Sequence, residues 1–417
     1  MPPRKIVIIG NGVAANSAAA TVRRLSADAR ITLVSDEPHP FYSACALPYY
    51  ISGEKPRRRM FLKTKTDYRK DGVRALLGRR VRAVDLSCNQ VELVDDSVID
   101  FDKLILATGA TPVMPTLPGV ELDGVCTFKT LADSDFIAAH TGAKAVVLGT
   151  GPIGMEAAIA LKKKGYQVSA VGRRGWILPR VFDPEASKRL AQVVEDAGVT
   201  LYCGEQVLRL LGENKVEAVA TDKHKLECDL VIIAAGMRPE VSLAMNAGIQ
   251  LGKLGGIATD GQMKTSAPGV FACGDCVENV ERVSQRPFIC MLWPNAQAQG
   301  IVAGYNAVGE LRTFPGSQNI TAVNAFGSYA YSIGSNLADL AGEDGVDVTE
   351  KERGGAYYRL VTVKGIVRGA QVLGETQIVG PLLNTIRRGL TLDSVRAPGS
   401  QSYVNIWQAR IWKELLG

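Results

Sequence analysis

The stretch from Lys5 to Glu37 limits what this chain can fold into more than any other part of it. Residues 6–9 are an apolar, β-branched run too short for a helix, which is typical of a buried parallel strand. The turn Gly10-Asn11-Gly12 follows, residues 14–25 have helix-forming composition, and residues 31–34 are typical of a second strand. This order predicts a βαβ unit of a doubly wound α/β fold.

Each small residue of this turn has a physical use in a dinucleotide site. Gly10 permits the tight turn, Gly12 lets a pyrophosphate approach the backbone, and Ala15 lets the helix pack closely on the strand. The first N–H groups of the helix would point at the phosphates. Asp36 or Glu37 stands where a ribose hydroxyl needs an acceptor. The pattern favours a dinucleotide site over a purely structural α/β turn, with contacts from Gly10, Gly12, Val13, Ala14 and Ala15.

The same pattern occurs again in the middle of the chain. Residues 145–148 form a second apolar run, Gly149-x-Gly151-x-x-Gly154 follows, and helix-forming residues extend through Lys164. The two glycine turns are far enough apart to belong to separate domains. We therefore predict two nucleotide-binding units.

The second unit differs from the first at the end of its second strand. Residues 167–171 form that strand, and the chain continues with Gly172-Arg173-Arg174 in place of an acid. An acid there binds a ribose 2′-hydroxyl, whereas arginine accommodates a 2′-phosphate. Arg173 and Arg174 thus favour NADP over NAD, the alternative being that they are ordinary surface residues.

Further buried strands end in small residues. Residues 104–106 lead into Ala107-Thr108-Gly109, where backbone can approach a nucleotide, and the segment 230–239 has Gly236 at the matching place. Residues 270–273 form a third such strand, followed by Gly274-Asp275. We expect Asp275 to begin a helix, with its carboxylate beside a hydroxyl chain of the ligand.

Two cysteines around that turn, Cys273 and Cys276, have the spacing of a redox or metal motif. We expect neither role, because Cys273 would end a buried strand and Cys276 would lie on a helix, with no second ligand pair nearby. The three histidines, His39, His140 and His224, form no metal or triad pattern. We therefore predict no metal site.

Cys45 is the one cysteine in a predicted active-site loop, which Pro38 and Pro40 indicate. A thiol here could attack a disulfide or a flavin, and the alternative is a small packing residue. Residues 55–82, just downstream, are strongly basic. Such a run indicates a solvated face, or a docking patch for an acidic protein or a phosphate-bearing substrate.

Length and composition exclude several classes of protein. The 417 residues are enough for two or three domains, and 46% apolar with 22% charged residues is ordinary for a globular protein. A net charge of +6 without a groove-reading motif argues against nucleic acid. We expect neither a signal peptide nor a transmembrane helix, and the eight scattered cysteines are typical of reduced thiols in a cytoplasm.

The two glycine turns, the strand ends LATGATP and IAAGMRP, and the segment TSAPGVFACGD together resemble the pyridine nucleotide–disulfide oxidoreductase superfamily. The resemblance spans the whole chain. It implies an α/β fold of two doubly wound (Rossmann-like) nucleotide-binding domains and a smaller C-terminal α+β domain. The implied FAD domain is residues 1–112 with 246–315, the NAD(P) domain is 113–245, and a C-terminal interface or dimerisation domain is 316–417.

The resemblance also implies cofactors, FAD and NAD(P)H, and roles for individual residues. Its implied FAD contacts are the pyrophosphate loop with Gly10, Gly12 and Ala15, the ribose acceptor Asp36 or Glu37, the adenine contact Val81, the lining residues Ala107, Thr108 and Gly109, the turn Gly274-Asp275, and Asn295 and Ala296 near the flavin ring. Its implied NAD(P)H contacts are Gly149, Gly151, Ile153, Gly154, Glu156 and Gly236.

Two branches of the superfamily fit parts of the chain. The segment FYSACALPY, with Cys45 at its centre, keeps the cysteine and L-P-Y of coenzyme A–disulfide reductases and NADH oxidases but lacks their Ser and Asn. The segments DEPHPFYS, LWPNAQAQG and VKGIVRGAQVLGETQIVGPLLNTIRRG are closest to rubredoxin reductases, the flavin region of nitrite reductases and flavin subunits such as that of phenylglyoxylate:NAD oxidoreductase. The latter group uses NAD, which opposes the arginine pattern.

The combined resemblance implies an FAD-dependent NAD(P)H oxidoreductase that passes electrons between nicotinamide and an iron–sulfur protein or subunit. Such a chain would be a homodimer or part of a hetero-oligomer. Two alternatives stay open: a coenzyme A–disulfide or polysulfide reductase with Cys45 as its catalytic thiol, and a flavin-bearing assembly subunit with no catalytic role.

Overall fold

A computed structural model describes residues 5–391 as a mixed α/β chain. Its helices are α1 Val13–Leu25, α2 Leu47–Ile51, α3 Lys65–Lys70, α4 Leu131–Ala139, α5 Pro152–Lys164, α6 Pro184–Asp196, α7 Ser242–Asn246, α8 Trp293–Val308 and α9 Val379–Arg388. Two 3₁₀ turns lie at Ala44–Ala46 and Arg57–Met60. The strands are β1 Lys5–Ile9, β2 Arg30–Ser35, β3 Val73–Leu77, β4 Val81–Asp85, β5 Gln90–Leu93, β6 Val98–Asp100, β7 Lys103–Leu106, β8 Ala110–Pro112, β9 Val125–Thr127, β10 Lys144–Leu148, β11 Gln167–Gly172, β12 Val199–Cys203, β13 Val207–Leu211, β14 Ala218–Thr221, β15 Lys225–Glu227, β16 Leu230–Ile233, β17 Met237–Pro239, β18 Ile257–Ala258, β19 Val270–Ala272, β20 Val277–Val280, β21 Pro287–Phe288, β22 Ile320–Ala325, β23 Ser328–Gly334, β24 Val346–Arg353, β25 Ala356–Val363 and β26 Ile366–Leu373.

The described chain forms two compact units. The first comprises residues 5–47, Pro56–Thr111 and Met237–Gln318, and the second comprises Pro48–Lys55, Pro112–Gly236 and residues 319–391. The division into three domains that the sequence suggests stays a prediction. Residues 392–417, which that division assigns to the C-terminal domain, lie outside the described residues.

A parallel sheet with strand order β19-β7-β1-β2-β3 forms the centre of the first unit. After an initial lysine, β1 and β7 are apolar and buried throughout because both faces of the sheet are covered. Helices α1 and α8 pack against each other, and small residues allow the close approach. A Cβ on Gly300 of α8 would collide with the carbonyl oxygen of Ala14 in α1, and a Cβ on Gly304 would lie 2.8 Å from the Ala18 carbonyl oxygen.

A second parallel sheet, with strand order β12-β11-β10-β16-β9, forms the nucleotide-type core of the second unit. Helix α5 connects β10 to β11, as in a βαβ unit, and ends at Gly165 in the left-handed conformation (φ +103°). A small antiparallel sheet of β13, β14 and β15 lies between β12 and β16 in the sequence. The predicted fold class, with two Rossmann-like cores, is confirmed.

The second unit also contains an antiparallel sheet of order β22-β23-β26-β25-β24, against which α9 packs. A buried ion pair ties this sheet to the segment before α6: Arg359 Nε donates to Asp183 Oδ2 at 3.0 Å. Gln371 Nε2 donates to the same oxygen at 3.0 Å, and the Leu337 N–H donates to Asp183 Oδ1 at 3.0 Å. The carboxylate of Asp183 is buried but fully hydrogen-bonded.

Three local expectations from the sequence are wrong. Asp275 does not begin a helix, and Cys276 does not lie on one, because both lie in the turn between β19 and β20. The residues after this turn are mostly buried, begin and end with valine, and pair with β18 and β21, so they form strand β20 instead. Cys45 is not in an irregular loop: it lies in the 3₁₀ turn Ala44–Ala46, which leads directly into α2.

Candidate dinucleotide sites

The glycine turn of the first unit joins β1 to α1. Gly10 has φ +118°, and its N–H donates to the Val34 carbonyl oxygen at 2.8 Å. A Cβ at Gly10 would collide with the carbonyl oxygen of Ala107. Gly12 is the N-cap of α1; no side chain caps the helix, and a Cβ on Gly12 would meet nothing within 4 Å. The uncapped N–H groups of the first helical turn, which holds Val13, Ala14 and Ala15, and the open space beside Gly12 fit a pyrophosphate.

The carboxyl ends of β1, β7 and β19 bring several of the predicted FAD residues together. A Cβ on Gly274 would lie 3.0 Å from the Ala14 Cβ and 3.9 Å from the Ala296 Cβ. The Gly274 N–H donates to Gln299 Oε1 at 2.8 Å. Helix α8 therefore holds the turn that carries Asp275 beside the start of α1.

The predicted lining residues after β7 lie at the same edge of the sheet. Thr108 Oγ1 donates to the Glu240 carbonyl oxygen at 2.6 Å, and the Gly109 carbonyl oxygen accepts from the Glu240 N–H at 2.9 Å. Thr108 and Gly109 also contact the Cys276 thiol, whose pKa is raised by burial. The backbone that follows Ala107 is thus fixed next to the Asp275 turn.

The acids expected at a ribose follow β2. Asp36 is exposed, whereas Glu37 is half-buried and accepts a hydrogen bond from the Tyr42 hydroxyl at 2.8 Å. Val81, the expected adenine contact, is buried in the same apolar cluster as Ile9 and Val34. Asp36, Glu37 and Val81 therefore lie around the end of β2.

Asn295, expected near the flavin ring, lies in the first turn of α8 with its side chain buried. Its Nδ2 donates to the Gln318 carbonyl oxygen at 2.9 Å, and its Oδ1 accepts from the Gln318 N–H at 3.0 Å. Nδ2 also lies 2.8 Å from the Cys290 sulfur. Burial, together with the charge of Asp275, raises the pKa of the Cys290 thiol to about 12. The side-chain amide of Asn295 is committed within the protein.

A hydrogen-bond network behind the first glycine turn was not predicted from the sequence. The Tyr68 hydroxyl donates to Asn11 Oδ1 at 2.6 Å and accepts from the Phe41 N–H at 2.9 Å. Asn11 Nδ2 donates to the His39 carbonyl oxygen at 3.1 Å. Tyr68 is buried, and burial raises the pKa of its phenol. The network fixes the middle residue of the turn, but Tyr68 is 57 residues away from Asn11, so no local pattern reveals it.

The glycine turn of the second unit repeats the geometry of the first. Gly149 has φ +123°, its N–H donates to the Val171 carbonyl oxygen at 2.8 Å, and a Cβ there would collide with the Ala234 carbonyl oxygen. A Cβ on Gly154 would collide with the Gly149 carbonyl oxygen. Gly151 is the N-cap of α5 with no side-chain cap and nothing within 4 Å of its Cβ position. This helix start also fits a pyrophosphate.

The other residues predicted for NAD(P)H lie close along the chain to this turn or to β16. Ile153 and Glu156 are half-buried on the first two turns of α5. The Glu156 carboxylate has no hydrogen-bond or ionic partner among the described residues, and burial raises its pKa to about 7. Gly236 follows β16 with φ +134°, and a Cβ there would meet nothing within 4 Å. The Gly236 position therefore leaves room for a ligand.

The turn after β11 carries Arg173 and Arg174, both exposed. Neither forms an ion pair with another residue in the range 5–391. The Gly204 N–H bridges the Gly172 carbonyl oxygen at 2.8 Å and the Arg174 carbonyl oxygen at 2.9 Å. The two guanidinium groups are therefore carried on a fixed backbone turn and stay available to an anion.

Cys45 is exposed in its 3₁₀ turn. This turn is joined to the next 3₁₀ turn, Arg57–Met60, because the Ser43 N–H donates to the Met60 carbonyl oxygen at 2.9 Å. Tyr42 and Phe61 form an antiparallel bridge beside it. The thiol therefore lies on a surface that also carries arginine side chains.

The described part of the chain contains neither a cluster of metal ligands nor a membrane-spanning helix. Within residues 5–391, no group of three or more histidine, cysteine, aspartate or glutamate side chains could hold a metal ion. No helix in the same range has both the length and the apolar character that crossing a membrane requires.

Comparison with known proteins agrees with this geometry. A family model described as pyridine nucleotide-disulphide oxidoreductase matches residues 4–300. The epsilon subunit of the NADH-dependent phenylglyoxylate dehydrogenase of Aromatoleum evansii is 30% identical over 399 residues, 94% of this chain and 94% of that protein. The CoA-dependent NAD(P)H sulfur oxidoreductase of Pyrococcus abyssi is 31% identical over 94% of this chain and 87% of that protein.

A solved structure supports the same assignment. The NAD-dependent persulfide reductase from A. fulgidus has a TM-score of 0.90 and 26% sequence identity, covering 98% of this chain and 82% of that chain. Two uncapped helix starts with open glycines, at Gly12 and Gly151, have a geometry that fits the phosphates of two dinucleotides. The chain belongs to the pyridine nucleotide-disulphide oxidoreductase family and is an FAD-dependent NAD(P)H oxidoreductase.

Proposed function

We propose that this chain passes electrons between NAD(P)H and an iron–sulfur protein, as the flavin subunit of a larger oxidoreductase. FAD, when bound, takes up electrons from the nicotinamide in pairs and can release them singly. The residues of this chain hold the two dinucleotides and present a surface to the protein partner. Gly10 to Ala15 and the Asp275 turn hold the FAD, and the Gly149 turn with Glu156 holds the NAD(P)H.

The observation that carries this proposal is a set of exposed basic side chains in the run that follows the Cys45 turn. We define the basic surface as six exposed side chains that form no ion pair with any described residue: Arg58, Arg59, Lys65, Arg69, Lys70 and Arg74. Two other basic residues of the same run are neutralised, since Lys63 pairs with Asp71 and Arg79 with Asp95. Unneutralised cations on one surface attract an acidic protein and speed the encounter.

The relatives support the same proposal. The phenylglyoxylate dehydrogenase relative is by name one subunit of an NADH-dependent enzyme, and it matches this chain over nearly the whole length of both. A chain of the same length and family is suited to the same kind of assembly. We therefore propose that this chain works with at least one other subunit.

A second candidate function is reduction of a coenzyme A disulfide or a polysulfide. The observation that favours it is the exposed thiol of Cys45 next to the turn that carries Arg58 and Arg59. Nearby arginine stabilises a thiolate, and the basic surface would suit coenzyme A phosphates. The CoA-dependent sulfur oxidoreductase among the relatives adds support to this candidate.

Substitution of Cys45 separates the two candidates. The flavin of the purified holoprotein is reduced anaerobically with NADH or NADPH, and an acceptor is then added, either a [2Fe–2S] ferredoxin or coenzyme A disulfide. We expect Cys45→Ser to reduce the ferredoxin as fast as the wild-type chain. Cys88→Ser, at the other exposed cysteine, is the control. Loss of ferredoxin reduction in Cys45→Ser alone would refute the proposal and favour the thiol mechanism.

A further inference from the structure

We propose that Glu205 and His224 determine how well the second unit accepts a 2′-phosphorylated coenzyme, because together they set the charge beside the Arg173–Arg174 turn. The inference rests on the proposed NAD(P)H site and on the proposed role of these arginines at the ribose. Neither Glu205 nor His224 has any part in the function proposed above.

Glu205 is a buried carboxylate with two side-chain partners. It is only 6% exposed. Thr221 Oγ1 donates to its Oε2 at 2.7 Å, and His224 Nδ1 lies 2.9 Å from Oε1 and 3.1 Å from Oε2. The Tyr202 ring lies against the imidazole, with the ring centroids 5.0 Å apart. The half-exposed imidazole covers the carboxylate on its solvent side.

The main chain at Glu205 holds the arginine turn. The Glu205 N–H donates to the Gly172 carbonyl oxygen at 3.2 Å, and the preceding Gly204 N–H donates to the carbonyl oxygens of Gly172 and Arg174. Lys223 Nζ in turn donates to the Gly204 carbonyl oxygen at 3.1 Å. The residue that carries the buried carboxylate therefore bonds through its own main chain to the turn that carries the proposed phosphate ligands.

The charge at this position matters because Glu205 is ionised. Burial alone would raise its pKa, but the hydrogen bonds from Thr221 and His224 outweigh burial and lower it. An uncovered carboxylate here would repel a 2′-phosphate and attract the arginine side chains that should bind it. A carboxylate engaged by His224 leaves Arg173 and Arg174 available to the phosphate.

A purely structural role for the pair makes a different prediction. If Glu205 and His224 only support the turn, then removing either one should weaken the binding of every nucleotide to the same extent. If the charge matters, removing His224 should selectively weaken the binding of 2′-phosphorylated ligands. Removing the charge of Glu205 as well should restore the original preference.

Calorimetric titration of the FAD-loaded protein with 2′,5′-ADP and with 5′-ADP tests this difference without any turnover. We expect His224→Ala to weaken 2′,5′-ADP binding about three- to tenfold, the size typical of one charge at a partly exposed site, and to change 5′-ADP binding much less. The double variant Glu205→Gln/His224→Ala should return the ratio of the two affinities to the wild-type value. Glu205→Gln alone, which keeps the shape of the side chain, should shift the ratio towards 2′,5′-ADP.

His140→Ala is the matched control, because His140 bonds to Tyr166 beside the end of α4 and makes no contact with Glu205. It should leave both affinities unchanged. Equal weakening of both fragments by His224→Ala, or an unchanged ratio in all three variants, would overturn the inference. A wild-type chain that binds 5′-ADP but not 2′,5′-ADP would also overturn it, while leaving the proposed electron transfer to a protein untouched.

Discussion

The side-chain amide of Asn295 forms two hydrogen bonds with the main chain of Gln318: it donates to the carbonyl oxygen at 2.9 Å and accepts from the N–H at 3.0 Å. Asn295 lies in the first turn of α8, and Gln318 is the last residue of the first compact unit. The same helix holds the Gly274 N–H through Gln299. Helix α8 thereby fixes both the turn that carries Asp275 and the point at which the chain leaves the unit.

We expect Asn295→Leu to lower the free energy of unfolding by about 2–4 kcal/mol, because it removes two buried hydrogen bonds to the main chain of Gln318. Urea denaturation of the FAD-loaded chain measures the loss. Asn214→Leu, at an exposed position, is the control and should change the value by less than about 0.5 kcal/mol. An equally small change at Asn295 would contradict the role given to this residue.

Gly300→Ala should separate α8 from α1, since the added Cβ collides with the carbonyl oxygen of Ala14 next to the first glycine turn. We expect a loss of about 2 kcal/mol or more in stability and a protein that is purified with little FAD. Gly380→Ala, in the first turn of α9, adds a Cβ that meets nothing within 4 Å and should be neutral or slightly stabilising. The ratio of flavin to protein absorbance compares the two variants; equal ratios would contradict the packing argument.

Glu156 predicts a specific pH dependence. Burial raises its pKa from 4.5 to about 7, so the folded chain binds this proton more tightly than the unfolded chain does. The free energy of unfolding should therefore fall as the pH rises from about 4.5 to about 7, by at most about 3 kcal/mol from this group. Glu156→Gln should remove this part of the decline and be more stable than the wild-type chain at pH 8. Denaturation of both proteins at pH 5 and pH 8, without nicotinamide, measures the two free energies of unfolding. An equal fall in stability between these pH values in both proteins would refute the prediction.

The buried pair of Arg359 and Asp183 should be costly to break from one side. We expect Arg359→Leu to destabilise the chain by about 3–5 kcal/mol, because the Asp183 carboxylate stays buried without its cation. Asp183→Asn combined with Arg359→Leu should recover a good part of that loss, since no buried charge remains at position 183. Glu350, the second carboxylate that pairs with Arg359, is 39% exposed and can be hydrated. Thermal denaturation of the wild-type chain and the two variants measures the difference. A double variant no more stable than Arg359→Leu would contradict the electrostatic explanation.

Local patterns were enough to predict the parallel cores. The apolar runs before Gly10 and Gly149 become β1 and β10, and the helix expected through Lys164 ends at that residue. In each case the period of the apolar residues matches the element, and the flanking glycines end it.

Contacts between distant parts of the chain could not be predicted in this way. The expected helix at Asp275 failed because a Gly-Asp pair resembles a helix start, whereas the β-branched residues 277 and 280 belong to a strand that pairs with β18 and β21. The contact of Glu205 with His224 joins residues 19 apart on two different segments. A lone histidine in a sequence does not reveal which buried carboxylate it covers.

The proposal that electrons leave this chain towards an acidic iron–sulfur protein is tested most directly by one set of anaerobic rate measurements. The wild-type chain, Cys45→Ser and the double variant Arg58→Glu/Arg59→Glu are reduced with NADPH and mixed with a [2Fe–2S] ferredoxin. We predict that Cys45→Ser transfers electrons at the wild-type rate. The arginine double variant should transfer electrons to the ferredoxin about tenfold more slowly, or slower still, at low salt. Its difference in rate from the wild-type chain should shrink as the salt concentration rises. A normal rate in the arginine variant together with loss of transfer in Cys45→Ser would contradict the account.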